Sequence, residues 1–426
     1  MILLSFLPIL LFVAIYVGTG VYLSFMGVHN AFYQLSPTVA IIPAIALGWI
    51  LHRGSTERKM HAFLDGMRHP DIITMCIIFL LAGAFSSVTN AIGSVDATVN
   101  LALSFISPQF LLIGLFITAA FISFAIGTSM GTIATIAPLA ACFAQQGVCS
   151  PIISMATVVG GAMFGDNLSI ISDTTIAAVM SQEANMQSKL RLNAVVAFMA
   201  SFITVVILFF AQDSAFALAP KAYSLLLVVP YLFLIGLALM GTNVFIVLFF
   251  SLICAGFIGY IDHGYTLFAL SADMVKGFAS MHEIMLLSLM VGGLSGLAGQ
   301  GSQALTARLS QWISNIGGGK KVAQLVIAAI VSTFDLLLAN NTVAIVFSGD
   351  IARDIAKRYQ IPPHYSAAWL DIFSCVFQGI IPYGAQVLLA SSIAGISPLM
   401  IMPHVYYCYV LGAVSVLYIV SNNQLK

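Results

Sequence analysis

Apolar runs of about twenty residues recur along the whole chain, with short polar connections between them. Clear examples lie at 3–26, 190–211, 222–240, 244–261 and 405–420. This is the length at which an α-helix crosses the hydrocarbon core of a bilayer. The pattern therefore predicts an all-α polytopic protein of the lipid bilayer, with about ten transmembrane helices.

Two more apolar stretches are long enough to cross twice, but each has the same charge signature at both ends. Stretch 109–146 is flanked by connections without Lys or Arg, whereas 322–350 is flanked by positive clusters. Since Lys and Arg mark cytoplasmic loops, each stretch begins and ends on one side of the membrane. We predict two re-entrant hairpins, with tips at 127–132 and 339–342. Two short full spans per stretch are the alternative.

Composition and charge exclude several protein classes and set the expected sidedness. Of the 426 residues, 60% are hydrophobic and 7% are charged, which is too few charges for a water-soluble fold. The formal net charge is zero, so nucleic acid is not an expected partner. The positive clusters, one of which includes Lys189 and Arg191, predict cytoplasmic loops and two cytoplasmic termini. The polar segment 262–283 is expected to be an outer connection.

Several features recur at an offset of about 212 residues, which predicts an internal repeat. The hairpin tips share this offset, and so do two interrupted helices at 151–180 and 366–390. Apolar segments beginning at Asp71 and Glu283 share it as well. We predict scaffold helices at 1–70, a first repeat at 71–212, connecting scaffold helices at 213–282 and a second repeat at 283–426. An odd number of spans separates the two starts, so the repeats are expected to be inverted, as in secondary transporters.

Polar residues inside the first repeat are candidate ligands, because lipid tolerates bare backbone and carboxylates only around a wet interior. The first hairpin tip supplies hydroxyls and glycines, and the first interrupted helix supplies acids and amides. The candidates there are Gly127, Thr128, Ser129, Thr132, Asp166, Asn167, Ser169, Asp173 and Thr174. On a continuous helix, Asp166 and Asp173 would share one face. Close helix packing and helix capping are the structural alternatives.

The second repeat offers fewer acids and more amides. Its candidates are Asn340, Asn341 and Thr342 at the hairpin tip, and Gly379, Tyr383 and Gln386 at the interrupted helix. Pro382 removes a backbone donor there and frees a carbonyl one turn earlier. Asp371 is compatible with a place near the cytoplasmic interface.

Two runs of sequence resemble a known family. The run GTSMGTIATIAP at 127–138, followed by GDNLSIISDTT at 165–175, is similar to the paired motifs of the NhaC sodium/proton antiporters, within the ion transporter superfamily. The resemblance implies the inverted-repeat architecture with re-entrant hairpins. The second half departs from the family pattern, since the tip reads Ala-Asn-Asn-Thr where many members carry Gly-Asp-Gln, and the break lacks a Ser/Thr-rich lead-in. We expect coupling to sodium or protons to survive this departure from the family pattern. The departure is expected to affect which substrate is transported.

The leading functional prediction is sodium-coupled secondary transport, with sodium/proton exchange by alternating access in a bacterial inner membrane. Buried acids that bind sodium when ionised can take protons instead. Sodium is expected at Thr128, Ser129, Asp166, Asn167 and Asn341, with sodium and protons as coupling ions and no other cofactor. The alternative is a sodium- or proton-coupled carrier of an amino acid or small carboxylate, and a homodimer is compatible with the scaffold helices. A channel and an intramembrane aspartyl protease fit less well, the latter because both best acids lie on one segment; an enzyme is not predicted.

Overall fold

The computed structural model describes residues 2–26, 28, 34–105, 107–170, 172–211, 222–240, 242–313 and 319–421, which form α-helices without a β-strand among them. The helices are, in chain order, α1 (Ile2–Phe25), α2 (Pro37–Ala40), α3 (Ile42–Leu51), α4 (Thr56–Met67), α5 (Pro70–Ala91), α6 (Ser94–Phe105), α7 (Leu111–Ile126), α8 (Ser129–Gln145), α9 (Pro151–Leu168), α10 (Asp173–Gln182), α11 (Met186–Ala211), α12 (Leu225–Leu239), α13 (Val244–His263), α14 (Leu267–Ile313), α15 (Lys320–Leu338), α16 (Asn341–Arg358), α17 (Pro363–Gln378), α18 (Ala385–Ala394), α19 (Pro398–Ile401) and α20 (Tyr406–Ser421). The prediction of an all-α polytopic membrane protein is confirmed.

Several helices have the length and the apolar composition of a membrane span. Five helices in the described part of the chain are long and apolar enough to cross a membrane, or six if the pair around a 106° bend at 395–397 is counted as one span. The five are Ile72–Ala91, Met186–Ala211, Val244–Asp262, Leu267–Leu297 and Lys320–Leu338. Apolar helical segments of 10–17 residues lie at six further places in the described part of the chain, and a hairpin turn separates two of them, α7 and α8.

At both predicted hairpins a tight turn joins two helices, of which α15 is long enough to cross a membrane, and the two turns have the same backbone construction. Gly127 ends α7 with φ 75° and Thr128 then caps α8 with φ −149°. In the second hairpin Ala339 ends α15 with φ 50° and Asn340 caps α16 with φ −148°. Each turn therefore consists of one left-handed residue and one N-cap, and both are narrower than predicted because 129–132 and 341–342 are already helical.

The two predicted interruptions also correspond in position. Helices α9 and α17 begin at Pro151 and Pro363, 212 residues apart. After the interruption, α10 begins at Asp173 and α18 at Ala385, again 212 residues apart. A stop at Leu168 places Asp166 and Asp173 on two separate helices, so they do not share one helix face. The two halves of the chain thus contain hairpins and interrupted helices at matching positions.

Helix α14 differs from the prediction. Residues 267–283 belong to this helix, so the expected polar connection at 262–283 shrinks to a short turn and Glu283 is not a helix start. The reason is local, since after Thr266 the sequence is rich in Ala, Leu, Met and Ser and contains no proline to stop a helix.

Glycines bring α14 into backbone contact with α4 and α5. A Cβ atom on Gly277 would overlap the backbone of Gly83, and one on Gly296 would overlap that of Ala62 and Gly66. Small residues allow this close approach of helices in membranes. The buried centre of the molecule lies beside these helices, in α8, α9 and α17, where even the polar side chains are covered.

Candidate ion site

A cavity of about 110 Å³ lies where the two hairpin turns and the two helix interruptions meet. Residues from both halves of the chain surround it. The lining consists of Thr74, Met75, Ile78, Gly127, Thr128, Ser129, Met130, Asp166, Ser172, Asp173, Thr174, Ala339, Asn340, Asn341, Thr342, Gln378, Ala385 and Gln386. None of these described lining residues is Lys, Arg or His.

Asp166 is the buried carboxylate of the cavity. It lies in the last turn of α9 and is 4% exposed. Its Oδ1 accepts a hydrogen bond of 2.6 Å from the Ser172 hydroxyl, which is 2.9 Å from the hydroxyl of Thr174. These partners are neutral, so they orient the carboxylate but do not balance its charge. A buried carboxylate in such surroundings requires a counter-ion or a proton.

A chain of amide hydrogen bonds connects the two halves across the cavity. Gln386 Nε2 donates to the hydroxyl of Ser129 over 3.2 Å. Gln378 Nε2 donates to Gln386 Oε1 over 2.7 Å and to the carbonyl of Ala339 over 3.2 Å. The first hairpin turn, the second hairpin turn and the second interruption are therefore held together by side chains rather than by apolar packing alone.

Eight helix ends meet at this cavity. The first residues of α8, α10, α16 and α18 all line it, namely Ser129, Asp173, Asn341 and Ala385. Helix N-termini carry partial positive charge, which stabilises the ionised form of Asp166 and of the exposed Asp173. The last turns of α7, α9, α15 and α17 end beside them, and their carbonyl groups are not needed by a continuing helix. Such oxygens are hard ligands of the kind that small cations prefer.

Most of the predicted site residues line this one cavity. Those that do are Gly127, Thr128, Ser129, Asp166, Asp173, Thr174, Asn340, Asn341, Thr342 and Gln386. The predicted sodium ligands Thr128, Ser129, Asp166 and Asn341 are thus brought together from both halves of the chain.

The other predicted residues lie outside the lining and hold neighbouring parts in place. The Thr132 hydroxyl donates to the carbonyl of Thr128, and Tyr383 donates to the carbonyl of Leu336 over 2.6 Å. Gly379 packs against the Cys408 thiol. Asn167 is fully buried and its carbonyl accepts from Asn193, and Ser169 is the C-cap of α9.

Some lining residues were not predicted. Ser172 and Gln378 lie next to predicted positions, and their polarity inside apolar runs was the signal for them. Thr74 sits on α5 among apolar residues, and a single threonine in a span carries no such signal. Its place in the wall follows from helix packing, which the sequence pattern does not contain.

Lys189 does not lie in a loop, contrary to the prediction. It is in the first turn of α11, is fully buried, and its Nζ lies 2.5 Å from Asp371 Oδ2. The surrounding sequence, Gln-Ser-Lys-Leu-Arg-Leu-Asn, is polar enough to resemble a surface connection. Asp371 is likewise fully buried in α17 and does not lie at an interface.

Comparison with known proteins finds membrane transporters. Residues 2–212 match the Na⁺/H⁺ antiporter family. The chain is 24% identical to the Na⁺/H⁺ antiporter NhaC of Bacillus subtilis, over 89% of this chain and 90% of that protein. It is also 27% identical to the malate-2H⁺/Na⁺-lactate antiporter of the same organism, over 40% of this chain and 35% of that protein. The resemblance to the NhaC antiporters is confirmed, and these relatives are membrane transporters rather than enzymes.

Among solved structures, the chain is similar to the YdaH transporter of Alcanivorax borkumensis, described as having an unusual topology. The sequence identity is 15% and the TM-score is 0.43, with 97% of this chain and 98% of that chain covered.

Proposed function

Because residues 2–212 match the Na⁺/H⁺ antiporter family and most of the chain aligns with NhaC, we propose that this membrane transporter exchanges sodium for protons at the cavity around Asp166. The observation that carries the proposal is a buried carboxylate facing a small cavity without a basic side chain among its described lining residues. Sodium and a proton then compete for the same carboxylate, and each cation leaves when the other arrives.

The size and lining of the cavity favour a small cation. One water molecule needs about 10–15 Å³ of such space, so the cavity of about 110 Å³ accommodates a cation together with several water molecules. Candidate ligands are the Asp166 carboxylate, the hydroxyls of Thr128 and Ser129 and the amide oxygen of Asn341, all of which line the cavity. The protein needs no further cofactor for this chemistry.

Alternating access would follow from the matching halves. The two hairpin turns and the two interruptions have equivalent construction and surround one cavity from opposite halves of the chain. If the halves are inverted in the membrane, movement of one hairpin opens the cavity to one side and movement of the other opens it to the other side.

Asp166→Asn tests the proposal in proteoliposomes, with sodium-driven proton flux as the readout. The amide keeps the shape of the side chain but cannot supply the charge, and hydrogen bonds or ligation by a charged group are worth about 1.5–3 kcal/mol. We expect the flux to fall by roughly tenfold or more. Asp65→Asn is the matched control, since Asp65 is half exposed on α4 and pairs with Arg68, and it should retain wild-type flux. Full flux in Asp166→Asn would contradict the proposal.

A carrier of a small carboxylate is the second candidate, and one observation favours it. Four helix N-termini begin at the cavity, and such ends attract carboxylate groups. The missing basic side chain and the presence of Asp166 and Asp173 argue against an anion. Proteoliposomes that take up radiolabelled lactate or malate under a sodium gradient, without sodium-driven proton flux, would favour this second function.

A further inference from the structure

Lys189 and Asp371 form a buried ion pair between the two halves of the chain. Both side chains are completely covered, and the Nζ–Oδ2 distance is 2.5 Å. Lys189 Nζ also donates to the hydroxyl of Thr175 over 2.7 Å, so α10, α11 and α17 meet at the ammonium group. A buried ion pair is often no more stabilising than apolar residues of similar size. Its presence therefore calls for a functional explanation.

Short connections link this pair to the cavity. Asn193 Nδ2 donates to Asp371 Oδ2 over 2.8 Å and to the carbonyl of Asn167 over 2.9 Å. Asn167 is the neighbour of Asp166 in the chain. On the other side, Thr175 follows Thr174, which lines the cavity. Lys189 and Asp371 themselves do not line the cavity. They form a separate polar cluster, whose partners Asn167 and Thr175 are chain neighbours of the lining residues Asp166 and Thr174.

The two buried acids differ in how their charge is balanced. Asp166 receives a hydrogen bond from the neutral Ser172, so a mobile cation or a proton has to balance its charge. Asp371 has the Lys189 ammonium in direct contact. The oxygens around that ammonium, from a carboxylate and a hydroxyl, are hard ligands that also suit a small metal cation.

We propose that Lys189 is a tethered counter-ion, whose ammonium group occupies at Asp371 the place of an additional transported cation. Lys189 then determines how many mobile cations the protein carries, because Asp371 cannot bind one while the ammonium is present. This inference rests on the proposed function, in which Asp166 takes the mobile cation. It assigns Lys189 as a residue that sets the coupling stoichiometry.

Equilibrium binding of ²²Na⁺ to the purified full-length protein tests this assignment. Lys189→Met removes the ammonium and keeps an apolar chain in the buried position, so the neutral amide of Asn193 is the remaining described donor to the Asp371 carboxylate. We expect about one more sodium bound per chain than in the wild type at alkaline pH, since a buried carboxylate requires a counter-ion or a proton and alkaline pH disfavours the proton. Lys189→Met combined with Asp371→Asn removes both charges, and the number of bound sodium ions should return to the wild-type value.

Folding is checked separately from binding. Lys189→Gln serves as a second single variant, and the double variant is the folded reference because it leaves neither charge of the Lys189–Asp371 pair. Sodium should raise the Tm of either single variant more than the Tm of the double variant, since binding to the folded state stabilises it. A single variant that shows neither additional bound sodium nor this additional rise in Tm would overturn the assignment of Lys189.

Failure of the proposed function gives a different result. If the wild type binds no sodium, or if Asp166→Asn binds as much as the wild type, the cation site at Asp166 is wrong. If the wild type binds sodium through Asp166 but the Lys189 variants bind no more, the proposed function stands and the role of Lys189 is wrong.

Discussion

Three aspartates are buried in the described part of the chain with different neighbours, and their neighbours decide what each can do. Asp166 has a hydroxyl donor, and Asp371 has an ammonium group and an amide. Asp335, in the last turn of α15, is 0% exposed, and no described side chain donates a hydrogen bond to its carboxyl oxygens. Because an unpaired buried charge costs several kcal/mol, the same substitution should affect these positions unequally.

Asp335→Asn and Asp371→Asn form a matched pair of changes. Asp335→Asn should alter the stability of the protein by no more than about 1 kcal/mol, since no charged partner is lost. Asp371→Asn leaves the Lys189 ammonium buried without its counter-charge and should cost about 3–5 kcal/mol. Thermal unfolding in detergent at one fixed salt concentration measures both. Equal losses of Tm in the two variants would contradict the view that neighbouring charge decides the outcome.

The elements of the two halves show how different residues build the same turn. The left-handed position is Gly127 in the first hairpin and Ala339 in the second, with φ of 75° and 50°. Thr128 and Asn340 then cap the following helices through bonds to Gly131 N and Val343 N. Glycine adopts the left-handed conformation without a steric penalty, whereas alanine does not. The second turn is therefore the more strained of the two.

Exchanging these residues should move stability in opposite directions. Ala339→Gly relieves the steric penalty of a left-handed residue, partly offset by the entropy of glycine in the unfolded chain, and should stabilise by about 0.5–1 kcal/mol. Gly127→Ala should destabilise by about the same amount. The Tm of each variant, measured beside the wild type in the same detergent, shows whether the substitution stabilises or destabilises the protein. A lower Tm for Ala339→Gly would mean that the turn is not strained.

Sequence patterns predicted the elements where polar or helix-breaking residues interrupt an apolar run. The hairpins were predicted because each stretch has the same charge signature at both ends. The interruptions were predicted because Asp166 and Pro382 lie within apolar runs. The continuation of α14 through 267–283 was missed because its polar residues are all compatible with a helix. Lys189 was misplaced because its partner is 182 residues away, and a local pattern contains no information about such a contact.

At the scale of the whole molecule, the cavity exists because two distant halves meet. The shared offset predicted that Asp166 and Asn341 face one site, and both line the cavity. The volume of the cavity depends on helix packing, and so does the position of the Asn167 side chain outside the lining. The sequence therefore did not predict them. Contact between Ser129 and Gln386 joins the halves directly at this place.

A cross-link at that contact should arrest transport. Ser129→Cys and Gln386→Cys, combined in a protein whose six native cysteines are replaced, place two thiols on opposite sides of the cavity. A short thiol cross-linker that is cleaved by reductant should lower flux below that of the untreated double variant, and reductant should return flux to that level, because alternating access requires the halves to move. Each single-cysteine variant treated in the same way is the control. Unchanged flux after complete cross-linking would show that the two residues do not separate during transport.

The glycine contacts of α14 have a consequence for how such movement is distributed. The backbones of Gly83 and Gly277 are in contact, and so are those of Gly66 and Gly296. These contacts leave no space for a side chain between the helices. Helix α5 also carries Thr74, Met75 and Ile78 in the cavity wall. That wall is thereby packed against α14, the longest helix in the described part of the chain, and we expect it to stay in place during transport. We expect the hairpins to move during transport, and the transported ion to be released past the hairpins rather than along α5.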